Sequence, residues 1–182
     1  MDAPHQIQLF REKAEAVHAV VQEITDLAAA CRYAADLTRS QGGAVIAAPG
    51  WDPDNLSLLK EICQEAQIEV LTEGLREQAG RLHTGLTLAD WGIAETGTLV
   101  HESSSEDLRL ATMLSETHIA VLPLSRLKPD AWALEEELND LMHAPPRYLA
   151  FITGASRTAD IERVLALGVH GPLELHVLLL KD

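Results

Sequence analysis

The stretch from Tyr148 to Leu180 constrains the fold more than any other part of the chain. Tyr148-Leu149-Ala150-Phe151-Ile152 is a short apolar run of the kind that forms a buried strand. Thr153-Gly154-Ala155-Ser156-Arg157-Thr158 follows as a loop of small and hydroxyl residues. The pattern then predicts a helix from Ala159 to Leu167, stopped by Gly168, because a helix end favours a left-handed glycine. His170-Gly171-Pro172 turns the chain, and Leu173 to Leu180 returns as a second apolar strand. Strand, loop, helix and strand in this order predict a parallel unit. Ligands of parallel sheets gather in the loops leaving the strands' carboxyl ends, beside helix N-termini. The Thr153–Thr158 loop is expected in that position.

The same alternation recurs upstream. Met1 to Leu9 reads as a loose, flexible start. Phe10 to Ile24 fits either a helix, striped by Val17, Val20, Val21 and Ile24, or a strand over Ala16 to Val21. Thr25-Asp26 can cap a helix from Leu27 to Arg39, ended at Gly42-Gly43. Ala44 to Ala48 predicts a strand, Asn55 to Ala66 a helix opened by Asp52-Pro53-Asp54, and Ile68 to Leu71 a strand. Trp91 to Ala94 and Thr98 to Val100 flank Glu95-Thr96-Gly97, where the glycine marks a bulge, a bend or a close approach. Ser103-x-x-Glu106 has capping-box spacing ahead of a helix from Leu108 to Ser115. His118 to Leu122 reads as a strand and Pro129 to Met142 as an amphipathic helix with a solvated Glu135–Glu137 face. In the last strand Leu173, Leu175, Val177 and Leu179 alternate with Glu174, His176 and Leu178. Helices alternating with strands imply an α/β fold with right-handed crossovers.

With 182 residues the chain is expected to form one domain over residues 10–182. Fourteen basic and 28 acidic residues give a formal net charge of −14. That surface repels phosphate backbones and anionic lipid, so neither nucleic acid nor a membrane is an expected partner. No apolar run approaches the roughly 20 residues of a membrane span. The start lacks a basic segment followed by an apolar one. The expected location is the cytoplasm. Cys31 and Cys63 form no CxxC pair, so no iron–sulfur or zinc knuckle is expected, and both fit buried thiols. GxxxxGK[ST], GxGxxG, HExxH and GxSxG are all missing. No cofactor or metal is expected in this chain.

Two polar clusters carry the chemistry. Asp90 and Glu95-Thr96-Gly97-Thr98 place carboxylates, hydroxyls and a glycine at a strand break. Glu95 is a candidate nucleophile or general base, and Gly97 would let a ligand approach the backbone. The competing account is a bulge whose hydroxyls satisfy local backbone groups. In the second cluster Ser156 and Thr158 are natural helix caps. Free amides with Arg157 would suit a carboxylate or phosphate, although Asp160 and Glu162 oppose an anion there. His170 is either a proton carrier or a turn residue bonded to backbone. His101 and His176 fall on strand patterns, where packing is the expected role.

Ala89-Asp90-Trp91-Gly92-Ile93-Ala94-Glu95-Thr96-Gly97-Thr98-Leu99-Val100, Ile152-Thr153-Gly154-Ala155-Ser156-Arg157-Thr158-Ala159-Asp160-Ile161-Glu162 and Gly168-Val169-His170-Gly171-Pro172 together resemble the LUD-domain family, in its LutC/YkgG-like branch. The resemblance implies a three-layer, open, mostly parallel sheet of the NagB/RpiA/CoA-transferase-like type. It implies a non-redox part in a bacterial system that oxidises L-lactate to pyruvate. The partners it implies are iron–sulfur proteins, and the ligand a small organic acid. It marks Glu95 and His170 as catalytic candidates and Thr96, Gly97, Thr98, Ser156, Arg157, Thr158, Asp160 and Gly171 as ligand-binding ones. His101–Asp107, more acidic than the resemblance leads one to expect, and Ser115-Glu116-Thr117 depart from it. An acyl- or CoA-transferase or a sugar-phosphate isomerase is the alternative, by fold analogy.

Overall fold

Short polar side chains set where the helices begin. A computed structural model of the chain describes residues 2–143, 147–158, 166–168 and 170–181. The Asp2 carboxylate accepts the His5 amide and opens α1 (Ala3–Ala16). A tight turn at His18 leads into β1 (Ala19–Ile24). Asp26 accepts the Ala29 amide at the start of α2 (Leu27–Ser40), which leads to β2 (Val45–Ala47). Asp52 accepts the Asn55 amide at the start of α3 (Pro53–Glu65), followed by β3 (Glu69–Leu71). Next come β4 (Thr84–Leu88), β5 (Trp91–Ile93) and β6 (Thr98–Glu102). Ser105, rather than the expected Ser103, caps α4 (Glu106–Leu114) by accepting the Leu108 amide. The order closes with β7 (Thr117–Pro123), β8 (Leu127–Lys128), α5 (Glu135–Met142), β9 (Leu149–Ile152), β10 (Arg157–Thr158), β11 (Ala166–Leu167) and β12 (Glu174–Leu180).

Among the described residues six strands form one parallel sheet in the order β1-β12-β7-β4-β2-β3. Helices α2 and α3 cover one face, where Cys31, Leu59 and Cys63 meet Ile46, Ile119, Val121 and Leu178. Successive strand residues point to opposite faces. Ala120, Leu122, Val177 and Leu179 therefore meet Phe10 and Ala14 of α1 and Leu99 of β6 on the other side. That second covering includes a smaller sheet, β8-β5-β6-β9. Phe10 is fully buried, worth about 1.5–3 kcal/mol for a side chain of its size. The open, mostly parallel α/β sheet expected from the sequence is present.

Several expectations are corrected. The start is helical from Ala3, not loose to Leu9, and the ambiguous Phe10–Ile24 stretch divides into the end of α1 and all of β1. The strand at Tyr148–Ile152 exists, but it is not the parallel partner of the last strand. It runs antiparallel to β6 in the smaller sheet, with Val100 opposite Phe151. The Thr153–Thr158 loop therefore does not leave a carboxyl end of the large sheet. Of the helix expected from Ala159 to Leu167, residues 159–165 lie outside the described residues, and Ala166–Leu167 is a strand paired with Arg157–Thr158. The helix expected from Pro129 begins only at Glu135, after a single 3-10 turn at Trp132–Leu134. The last strand alternates faces as expected, yet Leu175 to Leu179 are all buried, because both faces are covered.

Two histidines are trapped between the sheets. His101 of β6 and His118 of β7 are buried, with ring centroids 5.8 Å apart. His118 Nε2 shares a 2.9 Å hydrogen bond with the Thr87 hydroxyl. Among the described residues the His101 ring finds no hydrogen-bond partner of ordinary geometry. Burial pushes its pKa from 6.5 down to about 4, against a small opposing pull from the Leu88 carbonyl. Burial, and then the nearby His101, push His118 down to about 3. Both folded values lie below the unfolded one, so the unfolded chain takes up protons first as pH falls. The stability present at pH 7 should therefore be lost as pH drops through 6.5 toward 4. Each histidine should contribute about 2 kcal/mol of loss between pH 7 and 5. Urea unfolding at the two pH values checks this: His118→Gln, which cannot titrate, should show a smaller loss by about that amount.

Candidate functional site

The first polar cluster is a hairpin turn. Residues 94–97 connect β5 to β6, and Gly97 takes φ +64° there. A Cβ at Gly97 would collide with the Ala14 amide nitrogen and the Lys13 carbonyl carbon in the last turn of α1. The close approach that glycine permits is thus made by α1. Glu95 is exposed, and its amide donates to the Pro129 carbonyl at 3.0 Å. Thr96 is exposed and bonds the buried Thr98 hydroxyl at 2.7 Å.

The second cluster converges on the same helix end. Thr98 bonds the Thr153 hydroxyl at 2.8 Å, so the two distant stretches do touch. Gly154, at φ +78°, has the Val17 carbonyl where a Cβ would stand. The Arg157 guanidinium donates to that same carbonyl at 2.9 Å. Unpaired carbonyls and a negative dipole end make a helix C-terminus a natural seat for a cation. Arg157 is therefore committed to α1.

Beyond Thr153 a groove of about 360 Å³ follows β9. Thr153, Gly154, Ser156, His170 and Gly171 line one end, and Tyr148 and Phe151 another. Ser156 binds the loop together: its amide donates to the Pro172 carbonyl at 2.9 Å, its carbonyl accepts the Gly168 amide at 2.8 Å, and its hydroxyl accepts the His170 amide at 3.3 Å. Glu95, Thr96, Gly97, Thr98, Arg157 and Thr158 do not line this groove. Thr158 is half-buried in the short β10–β11 ladder, and Asp160 lies outside the described residues. Of the two clusters, only the second contributes described residues to this groove, and the end of α1 packs against Gly97 of the first and Gly154 of the second.

A second cleft stands where the parallel sheet itself places one. From β2 the chain moves outward to β3, then returns on the other side of β2 as β4 and continues toward β7. The crevice outside the carboxyl ends at such a reversal is the general ligand position of open α/β sheets. There, Pro49-Gly50 after β2, Leu88 at the end of β4 with Ala89-Asp90 after it, and Pro123 at the end of β7 enclose about 340 Å³. Asp90, Glu102 and Arg126 are its charged walls. Asp90 Oδ2 accepts the Glu102 amide at 2.7 Å, and Arg126 donates to the Asp90 main-chain carbonyl at 3.3 Å. Glu102 is already engaged, by Ser104 and by Arg147 at 3.5 Å. Arg126 has no carboxylate within ion-pair distance among the described residues. Burial pushes the Asp90 carboxyl above the ordinary aspartate range, outweighing the Glu102 amide and the Arg126 charge.

The sequence grouped Asp90 with Glu95, but the two stand at opposite ends of β5. Arg126, Glu102 and the Pro49-Gly50 turn were not singled out as site residues. The available signal was positional: Pro49 and Pro123 each close a strand of the parallel sheet, and the residues around such strand ends form its crevice.

The family model for the LUD domain matches residues 7–180. The chain belongs to the LUD domain family. Within that family it is similar to proteins named lactate utilization protein C. The one from Exiguobacterium sp. is 37% identical over 114 residues, covering 60% of this chain and 49% of that protein. The one from Halalkalibacterium halodurans is 37% identical over 132 residues, covering 68% and 57%. The one from Geobacillus thermodenitrificans is 29% identical over 188 aligned positions, covering 97% and 78%. The chain thus spans about half the length of the first two of these curated relatives. A crystal structure of a DUF162 family protein from Deinococcus radiodurans shares the LUD chain's fold, at 16% identity and a TM-score of 0.65, covering 99% of both chains.

The packing at the end of α1 makes two outcomes measurable. Gly97→Ala should cost about 2–4 kcal/mol, from a left-handed backbone and a backbone collision. Arg157→Ala should cost only about 0.5–1 kcal/mol, one exposed hydrogen bond to a carbonyl. Denaturant unfolding of both variants checks the order.

Proposed function

We propose that this LUD-domain chain serves lactate utilization as a non-redox component that holds a small organic acid in the strand-end cleft. The observation that carries the reading is Arg126. Its guanidinium lines the cleft with no carboxylate within ion-pair distance among the described residues, in a chain with twice as many acids as bases. A bidentate carboxylate suits that fork. The names of the relatives supply the lactate context.

Electron transfer would fall to iron–sulfur partner proteins. Cys31 and Cys63 sit in the core, with their thiols pushed up by burial to about 11 and about 12. Thiols held protonated in a core are poor metal ligands. The groove along β9, where Tyr148 and Phe151 are 68% and 52% exposed, offers those partners a surface beside Ser156, His170 and Gly171. No helix among the described residues is long and apolar enough to cross a membrane, and the proposed setting is the cytoplasm. The transferase alternative draws less support. Glu95 stands exposed on a turn, and α1 fills the approach beside Gly97.

Calorimetric titration with L-lactate tests the cleft. The wild-type chain should bind, and Arg126→Ala should weaken binding by roughly 10- to 100-fold, the loss of a charge-assisted hydrogen-bond pair. Unchanged affinity would remove Arg126 from the site. Deletion of the gene should impair growth of the host on L-lactate as sole carbon source, with rescue by the wild-type gene.

A further inference from the structure

We infer that the strand-end cleft takes 2-hydroxy acids in preference to the corresponding 2-oxo acids, and that Asp90 is the residue that distinguishes them. This rests on the proposed seat of a carboxylate at Arg126.

The guanidinium of Arg126 lies against the Asp90 main chain, with a 3.3 Å hydrogen bond to its carbonyl oxygen. A carboxylate held by that guanidinium brings its α-substituent next to Asp90. The Asp90 side chain is already fixed from one side, because Oδ2 accepts the Glu102 amide at 2.7 Å. Among the described residues, no other residue donates to Oδ1. An ionised carboxylate only accepts hydrogen bonds. An α-hydroxyl donates to Oδ1 and forms a charge-assisted bond. An α-oxo oxygen has no proton to donate, so it would set lone pairs against lone pairs. The second carboxylate cannot substitute for Asp90, since Glu102 is engaged by Ser104 and Arg147. Sites built to bond a substrate hydroxyl discriminate strongly against analogues without the donor, because the acceptor is left unpaired. Asp90 is half-buried, so the discrimination should fall at the lower end of that behaviour.

The experiment measures affinities of the whole chain for L-lactate, pyruvate, glycolate, glyoxylate and propionate, and repeats them for Asp90→Asn. The asparagine keeps an oxygen for the Glu102 amide and adds an amide that can donate. Wild type should bind lactate over pyruvate, and glycolate over glyoxylate, by at least about tenfold. In Asp90→Asn the preference should vanish or reverse, while propionate, which engages only Arg126 and is no longer repelled by the Asp90 charge, should bind no more weakly than before. Equal wild-type affinities within each hydroxy–oxo pair would overturn the inference, as would an Asp90→Asn variant that keeps the preference. If the acids bind in an Arg126-dependent way without preference, the cleft stands and the role of Asp90 falls. If no acid binds, both fall.

Discussion

The large sheet can exist only because its central strands are covered on both faces. Strands β12, β7 and β4 lie side by side with nearly every residue buried. A parallel sheet exposes too many apolar side chains to tolerate water on either face. Helices α2 and α3 cover one side with a row of small and medium side chains. The other side needs α1, α4 and a second sheet. That demand explains the antiparallel insertion of β5, β6 and β9, which contributes Leu99 and His101 as a lid on the strands below. The cost of this arrangement is a pair of neutral histidines sealed between the sheets.

The end of α1 is where the covering layer is fastened. The β5–β6 turn, the Thr153–Thr158 loop and Arg157 all close on its last turn, through Gly97, Gly154 and the Val17 carbonyl. Gly97, Gly154 and Arg157, which by their chemistry suit a ligand cradle, here serve a backbone. The same small and hydroxyl residues that suit close approach of a ligand also suit close approach of a helix, so composition does not separate the two uses. The strand-end cleft differs in kind. Its walls come from strand ends, loops, α4 and the turn that carries Arg126, and no single run of sequence describes it.

Much of the local structure was legible. Helices α2 and α3 announced themselves through Asp26 and Asp52 ahead of apolar stripes, and β2, β3, β7 and β12 through short apolar runs. Strand β4 was missed: Thr84-Gly85-Leu86-Thr87-Leu88 has a glycine and two hydroxyls, and reads as a loop until its neighbours are known. Strand β9 was recognised, but its partner was not, because the pairing of a strand is decided by what lies beside it. Asp90 drew notice for its charge, whereas Arg126, 36 residues away, had nothing local to connect it to Asp90.

The sequence by itself determined where α2 and α3 start, that β2, β3, β7 and β12 are strands, the α/β class, the buried thiols and the acidic surface. These follow from caps, periodicity and charge, which act over a few residues. The tertiary structure decided which sheet each strand joins, that the end of α1 packs against both polar clusters, and that Asp90, Glu102 and Arg126 wall one cleft. Those outcomes depend on long-range packing, in which side chains far apart along the chain compete for the same few ångströms of space.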